Sequence, residues 1–182
     1  MESDADVIQQ CRSGRRDSFR ALVERYQVEA FGHALAILGH REDALDCVQD
    51  AFLAAFQSID RFDVSREFYP WFYVVLRNRC YKQFDVRKRR GEVGVDPDRC
   101  ELIAAPQDGR VDELEDALWA LAPQDREIIT LRHFEGLTYT ELATRLCVPT
   151  GTVMSRLYNA RRRLRELLDE PHEDVENRRS HD

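Results

Sequence analysis

The stretch Leu137-Thr138-Tyr139-Thr140-Glu141-Leu142-Ala143, followed by Val148-Pro149-Thr150-Gly151-Thr152-Val153-Met154-Ser155-Arg156-Leu157, constrains this chain more than any other. It reads as a short helix, a tight turn and a longer basic helix, the outline of a helix-turn-helix. Ala143 is small enough for two helices to approach, the turn falls at Cys147 to Pro149, and Val153 fills the angle between the helices. Thr150 is placed to cap the second helix with its hydroxyl. Val153, Leu157, Ala160, Leu164 and Leu168 recur at helical spacing as one apolar stripe.

At about 100° of rotation per residue, Thr152, Ser155, Tyr158, Asn159 and Arg162 lie away from that stripe, and Arg156, Arg161, Arg163 and Arg165 flank it. Those residue types suit DNA, since hydroxyls and an amide read base edges while guanidinium groups neutralise phosphates. A solvated arginine face on an ordinary core helix is the plain alternative. The small helix and turn in front of it weigh against that.

A chain of 182 residues, 43% hydrophobic with only 8 Gly and 6 Pro, fits an all-α fold of two small helical domains. Its formal charge of -7 argues against nucleic acid only if charge is spread evenly, and it is not. Residues 71–90 hold seven Lys or Arg against Asp85, and residues 151–168 hold five Arg against Glu166. Between them, residues 91–116 carry nine acids against Arg99 and Arg110. The five cysteines, Cys11, Cys47, Cys80, Cys100 and Cys147, form no CxxC pair and have no His at ligand spacing. They read as small hydrophobes in a reducing cytoplasm, with neither metal nor cofactor expected, and no secretory signal or long apolar span is seen.

Helical patterns cover residues 3–11, 18–38 and 41–59, with Gly39 and Asp60 as stops. Phe19, Leu22, Val23, Tyr26, Ala30 and Phe31 make one apolar face, and Ala44, Val48, Phe52, Ala55 and Phe56 another. A polar loop, 60–66, leads to Phe68-Tyr69-Pro70-Trp71-Phe72-Tyr73-Val74-Val75-Leu76-Arg77-Asn78-Arg79, a helix with Pro70 in its first turn. It starts aromatic and ends basic, a combination that can stack on unpaired bases while holding their backbone. Core packing accounts for Trp71, Phe72 and Leu76; Phe62, in the loop, resists that account. Residues 91–111 read as an acidic extended linker without apolar anchors, so the two domains are expected to move freely. Helices resume near residue 112, with Pro123 opening the next and Ile128, Ile129 and Leu131 supplying core. The tail 171–182 is polar and expected to be disordered.

Three runs together resemble bacterial sigma factors of the extracytoplasmic-function group, in the sigma-70 family. They are Asp43-Ala44-Leu45-Asp46-Cys47-Val48-Gln49-Asp50-Ala51-Phe52, the run 68–78, and Leu121-Ala122-Pro123-Gln124-Asp125-Arg126-Glu127 continuing through Phe134-Glu135-Gly136-Leu137-Thr138 to Leu157. The resemblance covers nearly the whole chain except its two ends. It implies a factor that binds core RNA polymerase and directs it to promoters: region 2 (1–90) recognises and melts the −10 element, region 4 (112–170) reads the −35 element as duplex. It assigns Gln49 and Asp50, with Leu53 beside them, to the clamp helices of the polymerase. Phe62, Trp71 and Asn78, with Arg77 and Lys82, fall to the unwound −10 strand, and Met154, Ser155, Tyr158 and Asn159, with Thr152, Arg156 and Arg162, to the −35 duplex. It further implies no enzymatic chemistry, no cofactor, no membrane insertion and a monomer when free, with an anti-sigma protein as a compatible partner. The linker would thread polymerase channels as a run of carboxylates mimicking phosphates. Three positions depart from the family pattern. Cys147 stands where Gly is usual, so a positive φ there carries strain of about 1 kcal/mol. Met154 and Asn159 replace frequent basic residues, and Pro70 is unusual in its place and could move the helix start by a turn.

Two other classes compete. A stand-alone helix-turn-helix regulator would bind duplex DNA without polymerase, as a dimer at a palindrome; it has no need of the aromatic and basic helix at 68–90. An enzyme would have to use His33, His40 or His133 with Glu42, Asp46 and Asp50, but no Glu-x-x-His pairing or phosphate-binding Gly-Lys loop accompanies them.

Overall fold

The computed structural model describes residues 2–91, 109–133 and 135–169, and all regular structure among them is helical. Helix α1 (Asp4–Arg12) starts from a reciprocal cap in which Ser3 Oγ accepts from the Asp6 amide at 3.2 Å and the Asp6 carboxylate accepts from the Ser3 amide at 3.1 Å. A 3-10 turn, Arg16–Phe19, leads into α2 (Arg20–Leu38), which stops at Gly39 in the left-handed region, φ 70°. His40 then opens α3 (Arg41–Ser58), its Nδ1 accepting from the Asp43 amide at 3.4 Å. After the 3-10 turn Ile59–Arg61 comes α4 (Phe68–Arg90), with Pro70 third in the helix, where its missing N–H leaves no bond unmade. The second half consists of α5 (Gly109–Ala120), α6 (Pro123–His133), α7 (Tyr139–Leu146) and α8 (Thr150–Asp169). Most of the acidic linker, 92–108, and the tail, 170–182, lie outside the described residues.

Helices α2, α3 and α4 pack on one another around an aromatic centre. Phe72 stacks on Phe52 at 4.3 Å and on Phe68 at 5.7 Å between ring centroids, and Phe19 meets Phe52, Phe56 and Phe68 edge-on. Each such ring contributes about 1.5–3 kcal/mol by leaving water. A second core joins Leu118 and Leu121, Ile128 and Leu131 of α6, Leu142 of α7, and Val153, Leu157 and Ala160 of α8.

Four expectations change. Phe62 is core: it is 4% exposed, its ring lies 5.9 Å from Phe68 and 4.9 Å from Trp71, and the Arg12 guanidinium holds its carbonyl. Thr150 is the first residue inside α8 and not its cap; the Pro149 carbonyl accepts from Thr152 and Val153 at 2.9 and 3.1 Å, which makes Pro149 the capping position. The α8 stripe leaves the core before its last member, since Leu168 is 43% exposed while Leu167 packs inward beside Leu164. Finally, the two helical units are docked along a broad seam, α2 on α6 and α4 on α7, and Tyr73 of α4 belongs to the second core. The chain needs no apolar anchor in its linker for this, because the facing helices supply the contacts.

Candidate nucleic-acid interface

The helix-turn-helix is built by local rules. Thr138 caps α7 in a reciprocal box with Glu141, whose carboxylate accepts from the Thr138 amide at 2.7 Å and is held below the usual carboxylate range by those bonds. Cys147 ends α7 in the left-handed conformation, φ 55° and ψ 44°, and the Val148 amide closes the turn on the Ala143 carbonyl at 3.0 Å. Val153 and Leu157 of α8 are then buried against Leu142 and Leu146.

That burial turns the opposite side of α8 outward. Met154 is 54% and Tyr158 69% exposed, large hydrophobic side chains that a solvated helix face does not need. Ser155 is exposed beside them, its hydroxyl bonded to the Thr152 carbonyl at 3.0 Å, and Thr152, Arg156 and Asn159 are half-buried at the edges. Arg162 points to solvent and meets Glu166 at 3.5 Å. Behind this face, Arg161 stands 3.1 Å from His133, whose pKa is lowered by burial and by Arg161 and Arg132. The seven α8 residues marked in the sequence therefore share one accessible surface.

Helix α4 has three sides. Phe68, Phe72, Leu76 and Cys80 face the first core, and Tyr73, Arg77 and Tyr81 face the second unit. The remaining side carries half-buried Trp71 and exposed Asn78 and Lys82, which lie within about 40° of one another around the helix. Arg77 is not with them: its Nε donates to Glu127 at 2.7 Å, and it stacks on Tyr81 at 4.8 Å. Phe62 lies under Trp71, closed to a stacking base. Of the five residues marked for an unwound strand, the structure thus gathers Trp71, Asn78 and Lys82, and sets Phe62 and Arg77 elsewhere. On α3, Gln49, Asp50 and Leu53 are all exposed, and Leu53, 55% exposed, borders an open groove of about 660 Å³ with Phe19, Val23, Phe52 and Phe56.

Two sequence families match this arrangement, Sigma-70 region 2 over residues 22–90 and Sigma-70 region 4 over residues 112–164. The ECF RNA polymerase sigma-E factor of Escherichia coli strain K12 is 30% identical, the alignment covering 87% of this chain and 91% of that protein. The chain belongs to the sigma-70 family, in its extracytoplasmic-function group. Among solved structures, CnrH in complex with the cytosolic domain of CnrY is similar to this sigma factor at a TM-score of 0.66 and 30% identity, covering 92% of this chain and 98% of that one. The sigma factor RpoE in complex with the anti-sigma factor NepR, from Bartonella quintana, gives 0.64 and 27%, covering 84% and 98%.

Buried polar residues hold the seam of this sigma factor together, and the sequence pattern gives Arg126 and Glu127 no such role. Glu127, 3% exposed, accepts from Tyr73 Oη at 2.6 Å, Arg77 Nε at 2.7 Å and Tyr81 Oη at 2.7 Å. Burial and the Glu127 charge push both phenols well above their ordinary pKa, so they stay donors. Arg126, 4% exposed, reaches from α6 to the end of α2, donating to the Ala36 carbonyl and, at 3.1 Å, to that of Ile37. It thereby satisfies carbonyls that a helix C-terminus leaves unpaired. Burial pushes its pKa down to about 10, which leaves it charged at neutral pH. Trp119 closes over Gly39, where a Cβ would lie 2.9 Å from the indole ring. In the sequence, Asp125-Arg126-Glu127 looks like a solvated first turn after Pro123; the only hint is three successive charges directly before the core residues Ile128 and Ile129.

Proposed function

We propose that this sigma factor divides promoter recognition between the open faces of α8 and α4. It is a transcription initiation factor that binds core RNA polymerase and directs it to specific promoters. Met154, Ser155, Tyr158 and Asn159 meet base edges of the −35 duplex, with Thr152, Arg156 and Arg162 at its backbone. Trp71, Asn78 and Lys82 hold the unwound −10 strand, Trp71 by stacking and Lys82 by charge, with Phe62 supporting Trp71 from beneath. Arg77 joins them only when Glu127 lets it go. Gln49, Asp50 and Leu53 dock on the polymerase clamp helices, Leu53 and its groove supplying the apolar part. Residues 1–90 and 112–170 are the two working units, and the acids of 91–111 stand in for phosphates in a polymerase channel.

No step of this work makes or breaks a covalent bond in the factor itself, so the chain acts as a binding protein and not an enzyme, in the cytoplasm where its polymerase is. An anti-sigma protein, the kind of partner named with the Bartonella quintana RpoE, is a candidate regulator. The observation that carries the reading is the exposure of Met154 and Tyr158 on a helix whose other side is fully buried at Val153, Leu157 and Ala160. The test is transcription by core bacterial polymerase from a library of random promoters, with and without the factor, with transcript starts sequenced. Factor-dependent starts sharing two spaced upstream motifs are expected. Absence of such starts, with tight duplex binding by the factor alone, would overturn it.

A further inference from the structure

Where α2 meets the loop between α6 and α7, the seam brings together Glu29, His33 and Glu135, with their ligand-type atoms within 4.8 Å of one another. Glu29 and His33 are one helical turn apart on α2, so their side chains lie on the same face. Glu135 comes from the other unit and contacts His33 Nε2 directly.

The histidine is prepared as a ligand. It is 4% exposed, and its Nδ1 lies 2.8 Å from Tyr69 Oη. Tyr69 holds the ring through Nδ1 while Nε2 shares a proton with Glu135; an incoming cation would displace that proton and leave Tyr69 as the outer partner that orients the imidazole. Beside it opens a cavity of about 200 Å³, bordered by Gly32, Leu118, Arg126 and Thr130 as well as by the three residues. Gly32 has nothing within 4 Å of where a Cβ would be, so the floor is clear.

The two carboxylates are loosely paired. Arg145 is within ion-pair reach of both, its Nη1 3.5 Å from Glu29 and 3.8 Å from Glu135, distances longer than good hydrogen bonds. Arg145 also stacks on Tyr69 at 5.0 Å and Tyr73 at 5.3 Å, and its buried Nη1 makes no hydrogen bond among the described residues.

We propose that Glu29, His33 and Glu135 form a binding site for a first-row divalent cation of the zinc class, bridging the two units of the sigma factor. One imidazole and two carboxylates with room for water suit Zn²⁺, Co²⁺ or Ni²⁺, whereas Ca²⁺ needs six to eight oxygens and Cu⁺ prefers sulfur. Bonds of about 2.0–2.2 Å would hold the ligand atoms roughly 3.3–3.6 Å apart, a span that small side-chain rotations reach. Cysteine and histidine spacing gives no sign of such a site, because the third ligand lies 102 residues from the histidine. Since the ligands come from both units, the ion ties them together: at a free concentration 100 times its dissociation constant, the docked form gains about 100-fold over the parted form.

The test uses the metal-stripped full chain and needs no polymerase, so its failure would leave the promoter-directing role untouched. Co²⁺ is titrated by visible absorption and Zn²⁺ by calorimetry, on the wild type and on His33→Gln and Glu135→Gln, with circular dichroism to check folding. One ion per chain is expected, with affinity reduced 10-fold or more in each variant. Glu135→Gln, at a partly exposed loop position, keeps the test decisive if His33→Gln fails to fold. Absence of stoichiometric binding would overturn the proposal. So would binding indifferent to Glu135→Gln, or an intense near-ultraviolet cobalt–thiolate band showing that cysteines hold the ion.

Discussion

Helices α8 and α4 both carry an exposed basic surface, but α8 has one packed side and α4 has two. On α8 the buried residues Val153, Leu157 and Ala160 alternate with exposed Met154, Ser155 and Tyr158 at the helical period. On α4 the buried set includes Tyr69 and Tyr73 as well as Phe68, Phe72, Leu76 and Cys80, and half-buried Arg77 and Tyr81 extend it. A helix with a single partner writes its orientation into its apolar residues. A helix between two partners also buries polar groups, and Tyr73, Arg77 and Tyr81 are hydrogen-bonded to Glu127, since an unpaired buried polar atom is costly.

The comparison breaks most visibly in the cores. Phe72→Ala removes a ring stacked on both Phe52 and Phe68 and is expected to cost about 3–5 kcal/mol, against about 2–5 kcal/mol for Leu157→Ala in α8. Denaturant unfolding of the whole chain reads both values. If the seam couples the units, both substitutions shift one shared transition; two separate transitions would mean that the units unfold independently.

Next in size is the seam. Glu127→Ala takes one acceptor from three donors and leaves Arg77 without its carboxylate, a loss of about 3 kcal/mol to the docked arrangement. The units can escape that cost by parting, so the expected outcome is a larger radius of gyration in solution scattering, with helix content unchanged. Glu127→Gln keeps an acceptor and should expand the chain less. An unchanged radius in Glu127→Ala would show that Arg126 and Trp119 hold the units by themselves.

How far the sequence could be read follows the same division. The α8 face, the stop at Gly39 and the start at Pro123 were legible because their causes are local: a period, a left-handed glycine, a missing N–H. Phe62 was misread because a loop residue shows no period, although its partners Phe68 and Trp71 are close in sequence. Leu168 was misread because periodicity cannot say where a partner helix ends. Arg126 and Glu127 were not recognisable as buried because their partners, Ala36 and Tyr73, lie 90 and 54 residues away. The cluster of Glu29, His33 and Glu135 was hidden for the same reason.

The two reading faces should differ in what they lose. Tyr158→Ala and Asn159→Ala are expected to weaken binding to a matched −35 duplex by about 1–3 kcal/mol each and to relax the preference at one base pair. Arg162→Gln should weaken all sequences alike and lower the slope of log affinity against log salt by about 1. On α4, Trp71→Ala should leave duplex affinity unchanged and reduce capture of an unwound strand by about 1–3 kcal/mol. Fluorescence anisotropy with duplex and bubble probes in the holoenzyme separates the three. A duplex defect from Trp71→Ala equal to that from Tyr158→Ala would erase the proposed division.

The smallest effect lies at the turn of the helix-turn-helix. Cys147 holds φ 55° with a Cβ, a conformation that costs an ordinary residue about 1–2 kcal/mol. Cys147→Gly removes that strain, but glycine adds about 0.5–1 kcal/mol of unfolded-state freedom, and the weak contact of Sγ with the Thr144 carbonyl at 3.7 Å is lost. The balance favours glycine by about 0.5 kcal/mol, which for a chain of this size is a rise in Tm of about 1–2 °C, with promoter preference unchanged because the thiol is not on the exposed face of α8. A fall in Tm would place more weight on the thiol contact than on backbone strain. It would make the turn, like the seam, a part of region 4 whose residue is chosen by what it touches and not by its local conformation.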